Sequence, residues 1–146
     1  MHLRPVEAEL FELATIVDHI LRQLSVLLCE SLDPPIPTKV VPDGQEPGRS
    51  NMCLGLAVAT PGTSLMERHV DSDLLTLTLY DEPFFEVQQP ETGEWKVVDV
   101  CGNQPIVNIG RSFQEVSNNR LHAPLHGVRQ SESDINLIMY DKYGSE

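Results

Sequence analysis

Up to Leu32 the apolar residues recur at steps of three and four; beyond Ser50 that rhythm is gone, and short apolar runs alternate with turn residues. A period near 3.6 buries one stripe of a helix, whereas a period of two buries one face of a sheet, so the switch divides the chain into a helical and a β part. Val6, Leu10, Leu13, Val17, Ile20, Leu24 and Leu27 trace the stripe, widened by Phe11, Ala14, Leu21 and Leu28. They predict one long helix within residues 1–32, packed on a sheet. Residues 33–50, DPPIPTKVVPDGQEPGRS, carry five prolines and two glycines, which exclude a helix or central strand and predict a loop. In residues 51–146 the expected strands are Met52 to Ala59, Leu65 to Val70, Leu74 to Tyr80, Phe84 to Gln88, Trp95 to Val100, Pro105 to Ile109, His122 to Val128 and Ile135 to Tyr140. About eight strands suit a jelly roll, and Gly93 suits the hairpin turn in QPETGEW. A length of 146 residues is right for one domain overall.

Charge removes one class of partner. Ten Lys and Arg stand against 22 Asp and Glu, a formal charge of −12, with no basic cluster to neutralise phosphates, so nucleic acid is not expected. Glu7, Glu9, Glu12, Asp18 and Arg22 interrupt the N-terminal apolar stretch, so neither a signal peptide nor a membrane span is expected, and the setting reads as cytoplasmic. Cys29, Cys53 and Cys101 are odd in number, widely spaced and without a Cys-x-x-Cys pair, which suits small core residues and neither a disulfide framework nor a thiolate zinc site.

The chemistry concentrates in RHVDSDLLTLTLYD, residues 68–81. On an extended strand His69 and Asp71 share a face, with Leu75, Leu77 and Leu79 at the same parity, unless a turn at Ser72 and Asp73 shifts the register. His-x-Asp alone is weak: chance provides roughly 0.3 occurrences in a chain of this composition. A non-haem Fe(II) site of the facial type needs two imidazoles and one carboxylate on one side of the ion. A second histidine from a later strand would complete it, and His122 and His126 in NNRLHAPLHGV both qualify by type.

The stretch from Arg68 to Val128 resembles, in one register without gaps, the metal-binding core of the isopenicillin N synthase-like branch of the Fe(II)/2-oxoglutarate-dependent oxygenases. His-x-Asp opens a Leu/Thr-rich strand, a Gly-x-Trp turn at Gly93–Trp95 follows, then VNIG at Val107–Gly110, Asn118 and Arg120 as Asn-x-Arg, and His126 with Val128 after it. The resemblance implies a mainly β fold: a double-stranded β-helix (jelly roll) core preceded by one long N-terminal α-helix. It implies metal ligands His69, Asp71 and His126, which are also the catalytic set, with His122 on a variable position. It further implies Fe(II), dioxygen, 2-oxoglutarate as cosubstrate and oxidation of a small organic substrate.

The family anchors the cosubstrate's distal carboxylate with an arginine ten residues after the distal histidine and a serine two further on; here these are Asn136 and Ile138. An amide brings neither the charge nor the fork of arginine. Arg129, Arg120 and Lys142 are the substitutes within reach in sequence, and a relative that draws its electrons from the substrate is the variant needing none. MCLGLAVATPGT stands where the family has an Asn-x-Tyr segment. The competing expectation is a non-catalytic, shortened oxygenase-like subunit or binding module. In either case a homodimer or partner chain covering an open barrel is expected.

Overall fold

The computed structural model describes residues 4–41, 66–80, 85–100, 104–129 and 137–143. The helix runs over Arg4–Ser31 (α1), as the periodicity predicts. Its buried face is rotated from the expected stripe: Ala14, Val17, Asp18, Leu21, Ser25 and Cys29 are buried, while Phe11, Ile20 and Leu27 are exposed. Asp18 anchors the rotated face to β7, and Ser25 can lie on it because its hydroxyl is satisfied within the helix. The Asp18 carboxylate accepts from the Tyr140 hydroxyl and the Lys142 ammonium, each at 2.7 Å, and the Ser25 hydroxyl donates back to the Leu21 carbonyl. A buried charge is tolerated when paired in this way. Residues 33–41, the described part of the proline-rich segment, are less loose than a plain loop: the Ile36 amide donates to the Cys29 carbonyl, Thr38–Val40 forms a 3-10 turn, and Ile36 and Val41 are buried against α1.

Seven strands follow among the described residues: Met66–His69 (β1), Leu75–Tyr80 (β2), Phe85–Gln88 (β3), Trp95–Val97 (β4), Ile106–Ile109 (β5), His126–Val128 (β6) and Leu137–Lys142 (β7). The strand expected at Met52 to Ala59 lies outside the described residues. The stretch from His122 to Leu125 is irregular, so only the last three residues of that expected strand pair. Between β5 and β6 comes a short helix the sequence reading did not anticipate, Arg111–Val116 (α2). At six residues it is under two turns, too brief to print a period.

The strands form two antiparallel sheets, ordered β1-β6-β3-β4 and β5-β2-β7. This is the mainly β, jelly-roll architecture expected, with one long helix in front. Gly93, at φ 71°, turns the β3–β4 hairpin, a conformation glycine adopts without a Cβ penalty.

The central strand of the three-stranded sheet, β2, is covered on both faces. Leu75, Leu77 and Tyr140 pack outward against Ala14, Val17, Leu21 and Cys29 of α1. On the other face Thr76 pairs with Asn108 and Asp141, and Thr78 with Ile106 and Met139. Directly paired residues share a face, so Thr76, Thr78 and Tyr80 look into the space between the sheets, where Tyr80 and Ile106 meet Phe85 and Val128 of the other sheet. The expected parity therefore breaks between Asp71 and Leu75. The chain bends at Ser72–Leu74 and crosses from one sheet to the other, which sends the leucines of β2 outward to the helix.

Candidate metal centre

β6 lies between β1 and β3, so His126 faces His69 on one side and Val87 on the other, all on the inner face of the four-stranded sheet. Asp71 arrives from the crossover that leaves β1. Its Oδ1 lies 3.2 Å from His69 Nε2 and 3.3 Å from His126 Nε2. One ligand atom from each of the three residues falls within 4.8 Å of the other two. His126 is buried and the Asp71 carboxylate nearly so, with side chains 6% and 9% exposed, while His69 at 37% forms the open side. The Phe85 ring stacks on the His126 imidazole at 5.0 Å, and the two imidazoles stand 4.5 Å apart.

The second ring nitrogen of each histidine decides what the first can do. His69 Nδ1 lies 2.7 Å from the Glu67 carbonyl and His126 Nδ1 lies 3.1 Å from the Pro124 carbonyl. Carbonyls only accept, so this geometry assigns the ring protons to Nδ1 and turns both Nε2 lone pairs toward the same carboxylate oxygen. Lone pairs facing a carboxylate repel unless a cation, proton or metal, lies between them. Among the described residues Asp71 Oδ2 is a buried acceptor to which no donor bonds. Donor atoms at right angles around an ion with bonds of about 2.1 Å stand about 3 Å apart, close to the separations seen. The donor set fits a divalent metal of the iron type.

Electrostatics agree. Burial alone would push the Asp71 carboxyl up, but the hydrogen bond and charge of His126 outweigh it and hold Asp71 below its ordinary range. Burial alone would push the His126 imidazole down; the Asp71 hydrogen bond and charge win there too, and its pKa is raised.

Not every residue singled out in the sequence reaches this centre. His122 is exposed and lies apart from the group of three. Asn136 lies outside the described residues. Ile138 pairs with Leu79 on the outer face of β7 and is 36% exposed, so the inward positions of that strand are Met139 and Asp141. None of the three substitute cations is an anchor at the triad. Lys142 is held by Asp18, Arg120 donates to the Ser117 and Pro34 carbonyls, and Arg129 is exposed beyond β6. Lys96 shares the row of His69, His126 and Val87 but lies two strands from His126 and is exposed. Tyr80 and Phe85 are core, and Trp95 lies under the Arg68 guanidinium at 3.8 Å on the outer face; Phe84 lies outside the described residues. Cys29 is a buried free thiol, while Cys53 and Cys101 lie outside the described residues.

The sequence reading missed the supports around the triad. Asp73, expected to be a turn former, does sit in the bend, but it is 2% exposed and its carboxylate accepts from Thr76 Oγ1 at 2.7 Å. Its neighbours Thr76 and Asp141 lie on strands β2 and β7, and nothing local in the sequence brings them together.

The sequence profile of the 2OG-Fe(II) oxygenase superfamily matches residues 49–139. Among curated proteins, none matches the chain. Solved structures do. The rice dioxygenase for auxin oxidation is 31% identical over 57% of this chain and 30% of its own, with a TM-score of 0.53. Dioxygenase for auxin oxidation 1 of Arabidopsis thaliana, solved with 2-oxoglutarate, is 25% identical over 59% of this chain and 34% of its own, with a TM-score of 0.54. A Shewanella oneidensis protein described as an oxygenase covers 95% of this chain with 53% of its own at 18% identity and a TM-score of 0.67, a likeness of fold. The chain spans about a third of the length of the two plant dioxygenases.

Proposed function

Because the chain belongs to the 2OG-Fe(II) oxygenase superfamily, we propose that it is a non-haem Fe(II) dioxygenase of the isopenicillin N synthase-like branch that takes 2-oxoglutarate as cosubstrate and oxidises a small organic substrate. His69, Asp71 and His126 are its metal ligands and catalytic set, carried on a core spanning residues 51–146, behind a helix at 1–32 and a loop at 33–50. The observation that carries the reading is the convergence of two imidazole Nε2 lone pairs on one carboxylate oxygen, with both Nδ1 protons tied to backbone carbonyls. Support for 2-oxoglutarate comes from the family and from the Arabidopsis relative solved with it. Among the described residues β7 supplies no cation for a dicarboxylate, since it turns Met139 and Asp141 inward. That favours, as the second reading, a variant that draws its electrons from the substrate. The non-catalytic alternative has less support, because a relic would have no need to keep both imidazole tautomers aligned.

Iron held by His69, Asp71 and His126 would supply the activation of dioxygen. The protein's own residues do the rest. Asp71 contributes one negative charge that offsets half of a dication's, and the two backbone-anchored imidazoles present fixed lone pairs without reorganisation. Phe85 keeps water off one face of His126 and fixes its plane. Tyr80, Ile106 and Val128 make a dry wall between the sheets, and the half-exposed His69 leaves the side from which a substrate enters.

No described helix is long and apolar enough to cross a membrane. A cytoplasmic setting is part of the proposal, and so is a partner chain or second copy over the apolar side chains that α1 leaves exposed, Phe11, Ile16, Ile20 and Leu27. Anaerobic Fe(II) titration followed by succinate release from 2-oxoglutarate tests the activity. Stoichiometric iron lost in His126→Ala and Asp71→Ala is expected. Wild-type protein that binds no iron, or variants that bind it equally well, would overturn the assignment; oxygen uptake without succinate would select the second reading.

A further inference from the structure

Four consecutive carbonyls in the segment that carries Asp71 are all captured by three consecutive residues at the end of β5 and the start of α2. The Asp71 carbonyl accepts from the Arg111 amide at 2.8 Å, that of Asp73 from the Ser112 amide at 3.1 Å, and that of Leu74 from the Gly110 amide at 2.9 Å. The remaining one, of Ser72, accepts from the Ser112 hydroxyl at 2.6 Å. The approach is so close that a Cβ on Gly110 would collide with the Asp73 backbone carbonyl and carboxylate. From the other side Asp73 is held by the Thr76 hydroxyl.

Asp71 lies on no strand; it sits where the chain leaves β1 and bends toward β2. A carboxylate on such a bend is aimed only as well as the backbone beneath it, and that backbone is fixed by the contacts above. Three of the four donors are amides whose place follows from the end of β5 and the start of α2. The fourth is a side chain, and it closes the Ser72–Asp73 peptide, the next one after the peptide that the Arg111 amide holds.

We propose that Ser112 is a positioning residue for the metal's carboxylate ligand: by bonding the Ser72 carbonyl, its hydroxyl fixes the bend and with it the direction of Asp71 Oδ1. The inference rests on the reading of His69, Asp71 and His126 as a metal centre. Ser112 touches neither metal nor substrate. It acts on Asp71 through the backbone of the bend, one step further out than a partner that bonds a ligand's own side chain; loss of such direct partners commonly costs about 10- to 100-fold in affinity, so the lower end is expected here.

The test is a Co(II) titration of the full chain, followed by visible absorption, on wild type, Ser112→Ala, Ser112→Thr and His126→Ala, with thermal melting to show that each is folded. Co(II) absorption reads the ligand field directly, which a general loosening of the fold does not alter at saturating metal. His126→Ala is expected to abolish the signal. In Ser112→Ala we expect Kd to rise about tenfold and the saturated spectrum to change, with both restored in Ser112→Thr, which keeps the hydroxyl. Wild-type affinity and spectrum in Ser112→Ala would overturn the positioning role, and so would a threonine variant as impaired as the alanine one. If the alanine variant does not fold, the threonine variant decides: wild-type behaviour supports the role and a tenfold loss overturns it. A wild-type protein without a Co(II) spectrum, or one whose spectrum survives His126→Ala, would bring down the metal centre itself, a failure distinct from that of Ser112 alone.

Discussion

Asp73 sets an unusual pH dependence for a carboxyl. Burial, reinforced by the charges of Asp71 and Asp141 and only partly offset by the Thr76 hydrogen bond, pushes it up to about 7 from an ordinary 3.8. Between those values the folded chain holds a proton that the unfolded chain has already released. In the metal-free protein this contribution to stability is therefore present below the unfolded value and lost as pH rises through about 7. Asp73→Asn keeps an acceptor for Thr76 and removes the titration; it should raise stability more at pH 8 than at pH 5, by about 2–3 kcal/mol, with the gain vanishing only below the unfolded value. Thermal melting at both pH values checks this, and an equal shift at each would contradict it. Gly110→Ala is the companion case: the added methyl meets the Asp73 backbone, so a loss of about 1–3 kcal/mol is expected in urea denaturation. His-x-Asp was visible in the sequence because its members are two residues apart. Thr76 and Asp141 as neighbours of Asp73 were not, because cross-strand pairing brings them together.

The helix and the last strand are held by a charge pair that periodicity misreads. Counting apolar residues puts Ile20 and Leu27 in the buried stripe, yet Asp18 and Ser25 take that face and the two leave it. Once Lys142 and Tyr140 of β7 bond Asp18, the helix rotates to suit them, since leaving a buried ion without its counter-ion costs more than exposing two aliphatic side chains. Lys142→Met should therefore destabilise by about 3–5 kcal/mol, while the double replacement Asp18→Leu with Lys142→Met should recover most of the loss. A double-mutant cycle by urea denaturation measures the coupling; additive losses would show the pair to be independent. The same reasoning explains α2. Its six residues carry no period, and it forms because Phe113 is fully buried in the core under α1 and its first turn is bonded to the segment after Asp71.

At the scale of the whole molecule, the site exists because two sheets meet: the four-stranded sheet supplies His69 and His126, and the crossover to the three-stranded sheet supplies Asp71. A metal that binds only this assembled arrangement stabilises the fold by about 2.7 kcal/mol at a hundred times its Kd, or roughly 8 °C in a chain of this size. Anaerobic thermal scans with Fe(II) or Co(II) should show that rise, its reversal by chelator and its absence in His126→Ala; an equal rise in the variant would place the metal elsewhere. The helix, the order and approximate place of the seven described strands, and the pairing of His69 with Asp71 were legible in the sequence, because each is local: a period, a breaker or a spacing of two; the ends of the strands at Trp95 and His126 were not, falling three and four residues from expectation. Which face of β2 looks inward, that β7 offers Met139 and Asp141 where an arginine was sought, and that Asp18 turns the helix were decided only by tertiary structure. Those outcomes depend on which strand lies beside which, and on where a buried charge finds its partner over a hundred residues along the chain.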